Sequence, residues 1–454
     1  MQLTKGAIGN LINRYKAVLK KCHLMNTFGS LAVAGMLIMG GAGMAVAAES
    51  PDWGTADKPS TTGYKWTGKE TVTHTGDVYI KTGDTRAFQA YQDGPDTKNP
   101  DYTPTHASEK GTISLGSDSS TIVINSSVEK KSSYGVMVFD ASSAAHSDQL
   151  KLDLTGDTIS ISAENKDGHA GALHVSSDVT APDKDKNNTV NIVSKNGTTI
   201  YAKGTTEANA IELMSGGILN ISGPLTAKAE LDDESKGNVI YARGGATLNI
   251  GANGETVKLD GNINFGYEGT TSGTGVDAFV NVTLTGADSY WNGNTITSWS
   301  PKKPSDGKLE VTSLKVALNK GATWTPTVVE NSESKDQQYT ALNELTLDGG
   351  IVDVNEGVAI TIENIDGKGA ITNAGSVTIE KGSIEGPITF EKGAAQADNM
   401  VTVGEDGKTT LTGGVAGSGT IDKLAIDKEG KTTITNAKLS GHAGRALLIE
   451  HSTG

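Results

Sequence analysis

Short stretches with hydroxyl, lysine, carboxylate and imidazole groups are the places where this sequence could do chemistry. The nearest approach to the Gly-Asp-Ser-Gly of a serine protease is Gly116-Ser117-Asp118-Ser119-Ser120. It lacks the glycine that follows the nucleophilic serine in such a site. The stretch therefore predicts a turn and no catalytic residue.

Two Gly-Lys-Thr stretches, Gly407-Lys408-Thr409 and Gly430-Lys431-Thr432, resemble part of a phosphate-binding loop. The first glycine of such a loop would fall at Thr402 and at Ala425, and no helical pattern follows either stretch. Both are predicted to be turns, so no nucleotide or other cofactor is expected.

Metal ligands are suggested in two places. Asp183-Lys184-Asp185-Lys186-Asn187 alternates oxygen ligands as a calcium loop does, but Asn188 stands where such a loop needs glycine and Ser194 where it needs glutamate. Gly168-His169-Ala170-Gly171 and Gly441-His442-Ala443-Gly444 place histidine beside glycines without acidic neighbours. We predict a solvated loop at the first place, turns at the other two, and no metal.

The elements that would position any such group repeat along the chain. An apolar–any–apolar triplet occurs three times in each of four units between Tyr134 and Phe265. The first triplets are Val136-Met137-Val138, Leu173-His174-Val175, Ile211-Glu212-Leu213 and Ile240-Tyr241-Ala242. The middle triplets are Leu152-Asp153-Leu154, Val190-Asn191-Ile192, Leu219-Asn220-Ile221 and Leu248-Asn249-Ile250. The third are Ile159-Ser160-Ile161, Ile200-Tyr201-Ala202, Leu225-Thr226-Ala227 and Val257-Lys258-Leu259.

This pattern predicts an all-β fold. Side chains at i and i+2 of a strand point to one face, so each triplet has two inward residues and one outward residue. Three short strands cannot bury that face alone, but units stacked as coils of a right-handed three-sided parallel β-helix, a solenoid, can. The middle triplets begin 38, 29 and 29 residues apart, which insertions at the turns explain. A β-sandwich is the alternative, whereas helical hairpins are excluded because no segment has a 3.6-residue apolar period.

The outward residues of the middle triplets are Asp153, Asn191, Asn220 and Asn249. If the units stack in register, these side chains lie about 4.8 Å apart, the spacing of neighbouring strands. Amides at that spacing can donate and accept along the stack. We predict a structural ladder that fixes the register and a flat polar face that suits lateral docking.

Polysaccharide-active enzymes also use parallel β-helices, so a lyase or hydrolase is the alternative function. Such a site needs carboxylates from adjacent coils to converge on one face. The outward residues of the first triplets are Met137, His174, Glu212 and Tyr241, and those of the third are Ser160, Tyr201, Thr226 and Lys258. No two acids are adjacent in these series, so an enzyme is the less favoured interpretation.

Residues 1–47 are predicted to be an extended signal peptide. A long basic stretch precedes an apolar run, and Ala45-Val46-Ala47 then forms a small-residue cleavage site before Ala48. The whole chain has a net charge of −14. Because residues 1–47 contain five basic residues and no acid, the remaining residues carry −19. Such an acidic body repels nucleic acid, which is not an expected partner.

The remaining domains are predicted from changes in the strand pattern. Residues 48–84 would form an N-terminal cap, because a solenoid end exposes unpaired strand edges. Residues 85–265 would form coils with loop insertions at 93–110, 178–188 and 231–236. Residues 266–454 would continue the β-helix with tryptophan-containing coils and end before any membrane barrel.

The chain resembles passenger domains of Gram-negative autotransporters, of the pertactin-like type. The resemblance rests on the basic signal sequence, Ser289-Tyr290-Trp291-Asn292-Gly293, Gly321-Ala322-Thr323-Trp324-Thr325-Pro326 and the segment 342–350, Leu-Asn-Glu-Leu-Thr-Leu-Asp-Gly-Gly. It implies type V secretion and a β-helix at the cell surface, at the outer membrane or outside the cell. Adhesion or self-association is implied, with host or bacterial surface proteins or glycans as partners. It also implies an outer-membrane barrel, which this chain does not include.

Overall fold

The computed structural model has an all-β fold with parallel sheets, and no helix occurs among the residues that it describes. The described residues are 51–66, 71–92, 111–140, 150–177, 187–269, 275–276, 278–300, 313–328, 341–373, 376–385, 388–390, 400–403, 410–412, 415–417, 423–426 and 433–435. The insertions 93–110 and 178–186 and the signal segment with Ala45, Ala47 and Ala48 lie outside them.

The strands of the first units are short. Longer strands occur where a single strand covers both the second and the third strand position of a unit. In the first half of the chain they are β1 (Tyr64–Trp66), β2 (Val72–His74), β3 (Val78–Thr82), β4 (Arg86–Gln92), β5 (Gly111–Gly116), β6 (Thr121–Val128), β7 (Ser133–Asp140), β8 (Leu150–Asn165), β9 (His169–Ser176), β10 (Thr189–Gly204), β11 (Glu207–Met214), β12 (Ile218–Ser222), β13 (Leu225–Leu231) and β14 (Asn238–Arg243).

The second half continues with strands of the same kind. They are β15 (Thr247–Ile250), β16 (Val257–Asp260), β17 (Asn262–Gly269), β18 (Gly275–Val276), β19 (Phe279–Thr285), β20 (Tyr290–Asn292), β21 (Thr295–Ser300), β22 (Ser313–Asn319), β23 (Thr323–Thr325), β24 (Ala341–Val354), β25 (Ala359–Asn373), β26 (Ser376–Glu385), β27 (Ile388–Phe390), β28 (Met400–Val403), β29 (Thr410–Thr412), β30 (Val415–Gly417), β31 (Lys423–Ile426) and β32 (Thr433–Thr435).

One sheet joins the first strand of each unit to the first strand of the next. Its parallel pairings run β1–β4–β7–β9–β11–β14–β17–β21, which we call row one. The short strand β18 adds an antiparallel pairing to β17. The predicted first triplets therefore lie side by side.

The other sheet contains two further rows. Row two runs through β2, β5, the first halves of β8 and β10, then β12, β15, β19 and β22. Row three runs through β3, β6, the second halves of β8 and β10, then β13, β16, β20 and β23. Both rows meet again in β24, so the pairings between β10 and β24 form a closed ring. The ring closes because each of these long strands belongs to both rows.

The interior is built from the inward residues of the triplets. Along row two, Leu152, Val190, Leu219 and Leu248 are all fully buried. Fully burying one such side chain stabilises the fold by about 1.5–3 kcal/mol, so each unit adds its own contribution.

Two tryptophans extend this interior in row three. Trp291 and Trp324 are fully buried, and their rings stack with centroids 4.8 Å apart and planes 4° apart. Their indole N–H groups donate to the carbonyls of Gly261 (3.0 Å) and Gly293 (2.9 Å). A Cβ atom on Gly293 would lie 1.9 Å from the Gly261 carbonyl oxygen, so the glycine after the Trp291 strand leaves room for the neighbouring backbone.

The segment expected to form a cap, 48–84, supplies the first described strand of each row. β1, β2 and β3 pair with β4, β5 and β6 respectively. Before them, Ser60 bridges to Ile80, and the Trp53 carbonyl accepts a hydrogen bond from the Tyr79 amide at 2.7 Å. Residues in 266–454 continue the parallel pairings as far as β32.

Candidate functional site

A row of asparagine side chains crosses the outer face of row two. Asp153, Asn191, Asn220 and Asn249 lie directly opposite one another on neighbouring strands, and Asn281 follows Asn249. We call these five residues the amide ladder. Sequence reasoning stopped at Asn249 and missed Asn281, although the stretch Val280-Asn281-Val282 carries the same signal.

Hydrogen bonds connect the amide ladder in one direction. Each Nδ2 group donates to the Oδ1 atom of the preceding rung: Asn191 to Asp153 at 2.8 Å, Asn220 to Asn191 at 2.9 Å, Asn249 to Asn220 at 2.8 Å and Asn281 to Asn249 at 3.0 Å. The Asp153 carboxylate accepts the last of these bonds and also lies 3.0 Å from the Lys151 ammonium. The chain of donors thus ends on a group that only accepts.

The four strands that carry the asparagine rungs present only uncharged outward residues beside them. The outward residues of the first half of β10 and of β12, β15 and β19 are Thr189, Asn191, Val193, Ile218, Asn220, Ser222, Thr247, Asn249, Phe279, Asn281, Thr283 and Thr285. We call this surface the neutral face. Val193 is 46% exposed on it. Ion pairs flank it at both ends: Asp153 with Lys151 at one, and at the other Lys315, which lies opposite Asn281 and 2.8 Å from Glu344.

Row one carries a different polar group on its outer face. Glu212 on β11 lies opposite His174 on β9, and both are 7% exposed. Its carboxylate oxygens lie 3.4 Å from His169 Nε2 and 3.4 Å from His174 Nδ1. The Tyr134 hydroxyl on β7 lies 3.3 Å from His169 Nδ1. We call Tyr134, His169, His174 and Glu212 the His–Glu cluster.

The titration of the His–Glu cluster reflects these contacts. Burial disfavours ionisation of Glu212, but the close contacts with the two histidines and their charge outweigh it and lower the pKa of Glu212. Burial likewise disfavours the charged form of His169, but the Glu212 carboxylate outweighs it and raises the pKa of His169. Burial, followed by the charge of Glu212, raises the pKa of Tyr134 to about 12, so its phenol stays neutral.

The prediction that His169 lies in a turn without acidic neighbours is wrong. His169 begins β9, and its ring lies against Glu212. The sequence contained a signal for part of the cluster, because His174 and Glu212 occupy the same outward position in consecutive first triplets. The position of His169 could not be predicted in this way, because Ala172 and Leu173 are buried in succession and the alternation of β9 is interrupted between them.

A second, shorter amide row in row one was also missed. Asn238 Nδ2 donates to Asn209 Oδ1 at 2.9 Å, and Asn262 Oδ1 accepts from the Asn294 backbone amide at 3.0 Å. Asn209 is fully buried and its Nδ2 lies 3.3 Å from His169 Nε2, so this row adjoins the His–Glu cluster.

No family model, curated protein or solved structure matches this chain.

The other candidate stretches lie in turns or outside the residues that the structure describes. Asp118 and Ser119 form the predicted turn, where Ser120 Oγ donates to the Thr75 carbonyl at 3.1 Å. The stretches 183–186, 407–409, 430–432 and 441–444 lie outside the described residues. Within the described part of the chain, no three His, Cys, Asp or Glu side chains are arranged to hold a metal ion. That part also has no helix that is long and apolar enough to cross a membrane.

Proposed function

We propose that this chain is an exported, surface-exposed passenger of the autotransporter type that acts as an adhesin through self-association. We propose further that its rows of strands are the three sides of a right-handed parallel β-helix. The pairing of each strand with its counterpart in the next unit supports this architecture, because stacked coils pair in that way.

The neutral face is the observation that carries the proposed self-association. Without residues 1–47 the chain carries a net charge of −19, so a second copy is repelled over most of its surface. Twelve uncharged side chains on one flat sheet face remove that repulsion locally. The amides already bond along the ladder, but they are half-buried and keep exposed edges for a partner.

The charges at the ends of the neutral face select an orientation. In row order the positions are Asp153, the four asparagines and then Lys315. A second copy docked with its row antiparallel places Asp153 against Lys315 of that copy, twice, about a two-fold axis between Asn220 and Asn249. A parallel arrangement places like charges together, which costs free energy. The proposed contact is therefore an isologous, antiparallel dimer.

Charge reversal tests this contact. Asp153→Lys and Lys315→Asp should each abolish the dimer of the exported protein in sedimentation velocity and the clumping of cells that display it. The double variant should restore both, because each reversed charge again meets its opposite. Asp118→Lys, an exposed turn residue with the same change in charge, is the matched control. A double variant as monomeric as the single variants would contradict the proposal.

Export has its own test. If residues 1–47 are a cleaved signal, mass spectrometry of the exported protein should find Ala48 or Glu49 at the N-terminus. An intact Met1 on membrane-embedded material would contradict export by a cleaved signal. Glu212, the carboxylate held between two histidines, is too buried to contact a glycan, so it does not support the polysaccharide-active alternative.

A further inference from the structure

The His–Glu cluster joins three consecutive strands of row one through ionisable side chains. Tyr134 is on β7, His169 and His174 are on β9, and Glu212 is on β11. Each contact crosses from one strand to the next. A change in the charge of any member therefore acts on the pairing of these strands.

The geometry makes the stability of the cluster depend on whether one of its imidazoles is protonated. Glu212 Oε2 and His174 Nδ1 are buried and make no hydrogen bond of good geometry with the part of the chain that the structure describes, so their 3.4 Å contacts are chiefly electrostatic. A buried carboxylate is stable only beside a positive charge or a full set of donors. The imidazoles can supply that charge when one of them is protonated.

Other charged and titratable groups face the cluster from the neighbouring strands. Arg86 on β4 and Glu207 on β11 act on Tyr134 electrostatically. On β14, Tyr241 lies opposite Glu212, and the Arg243 guanidinium stacks over the Tyr241 ring at 4.5 Å. The histidines are the members of this set whose ordinary pKa lies nearest neutrality.

We propose that the His–Glu cluster is a proton-dependent clasp, which holds β7, β9 and β11 together while an imidazole is protonated and loosens them when that proton is lost. This inference does not depend on the proposed function. The raised pKa of His169 means that its stabilising contribution is complete below the ordinary histidine pKa and is lost as the pH rises through the raised pKa. The lowered pKa of Glu212 means that its contribution is lost only as the pH falls well below the ordinary glutamate range. The clasp is thus closed in mildly acidic solution and opens on the alkaline side.

Hydrogen exchange of the purified protein tests the clasp. After correction for intrinsic exchange, amides of β9 and β11 should exchange several-fold faster at pH 9 than at pH 6, because the stabilising charge of His169 is lost between these pH values. Glu212→Gln keeps the shape of the side chain and removes its charge, so it should remove this pH dependence. Glu129→Gln changes an exposed carboxylate paired with Lys166 and should keep it. A wild-type profile that does not vary with pH, or an unchanged profile in Glu212→Gln, would overturn the proposal.

If Glu212→Gln does not fold, a measurement on the unmodified protein still tests the clasp. NMR titration of the histidine Cε1 protons should show His169 deprotonating above the ordinary histidine range. The exchange of β9 and β11 should follow that same titration. Deprotonation of His169 at or below the ordinary range would overturn the clasp.

Discussion

The amide ladder and the His–Glu cluster occupy the same position in two rows and solve the same problem with different chemistry. The rungs of the ladder, and His174 and Glu212 of the cluster, are outward residues of apolar–any–apolar triplets, between inward side chains that are fully or almost fully buried. In the ladder, Asn191, Asn220 and Asn249 each donate and accept, so a rung satisfies its neighbours and the row extends over five strands. In the cluster, a carboxylate needs a cation, so the set is complete with two histidines and ends after three strands.

The difference shows that a row of neutral amides can be extended from strand to strand, whereas a set of charged side chains cannot. A further glutamate beside Glu212 would add repulsion, while a further asparagine beside Asn281 would add a hydrogen bond. The neutral row is also indifferent to pH over the range in which the cluster titrates. The following changes test this contrast, from the largest expected effect to the smallest.

Removing the carboxylate of the cluster should have the largest effect. Glu212→Ala leaves the buried His174 and the partly buried His169 without their anion, and breaking a buried pair in this way costs about 3–5 kcal/mol. We expect a large fall in the urea midpoint of the purified protein. Glu129→Ala, at an exposed pair 3.2 Å long, should cost less than about 1 kcal/mol. Equal losses for the two variants would remove the contrast between buried and exposed charge.

Introducing a charge into the middle of the amide ladder should make its stability depend on pH, as that of the His–Glu cluster does. In Asn220→Asp the new carboxylate can accept from Asn249 but cannot donate to Asn191, which we expect to cost about 1–3 kcal/mol near neutral pH. Because the folded state then favours the protonated acid, its pKa should be raised. Stability should therefore be regained at low pH and lost as the pH rises through that pKa. Urea midpoints measured from pH 3 to pH 8 would check this, with Asn220→Gln as the uncharged control.

Deleting one rung without adding charge should have a moderate effect. Asn249→Ala leaves the Asn281 donor and the Asn220 acceptor without their partner, but both are half-buried and water can replace it. We expect a loss of about 1 kcal/mol, independent of pH. Asn281→Ala removes only the last rung and should cost less. A pH-dependent loss in either variant would show that the ladder is coupled to a titrating group.

Neutralising the acidic end of the ladder should have the smallest effect. Asp153→Asn keeps an oxygen that accepts from Asn191 and removes only the partly exposed contact with Lys151. We expect a change in unfolding free energy within about 0.5 kcal/mol. Thermal denaturation of the monomer would measure it. A change as large as that of Asn249→Ala would mean that the ladder depends on its charged end and not on its amides.

The sequence alone identified the all-β, parallel character of the chain and four of the five residues of the ladder. Alternation within each triplet fixes which side chain faces outward, because a one-residue slip would bury the amide and expose two aliphatic side chains. The repeat then places equivalent triplets side by side. Asn191, Asn220 and Asn249 needed no more information than these two constraints.

Only the tertiary structure decided the register of row three and the composition of the cluster. Ile200 lies opposite Ala227 and not opposite Leu225, because the turns between the second and third strands differ in length and alternation permits a shift of two residues. His169 and His174 are five residues apart, so strict alternation would place them on opposite faces of β9. The consecutive burial of Ala172 and Leu173 breaks that alternation and brings both imidazoles to Glu212. Such a local bend depends on how neighbouring strands pack, which the residues of one strand do not specify.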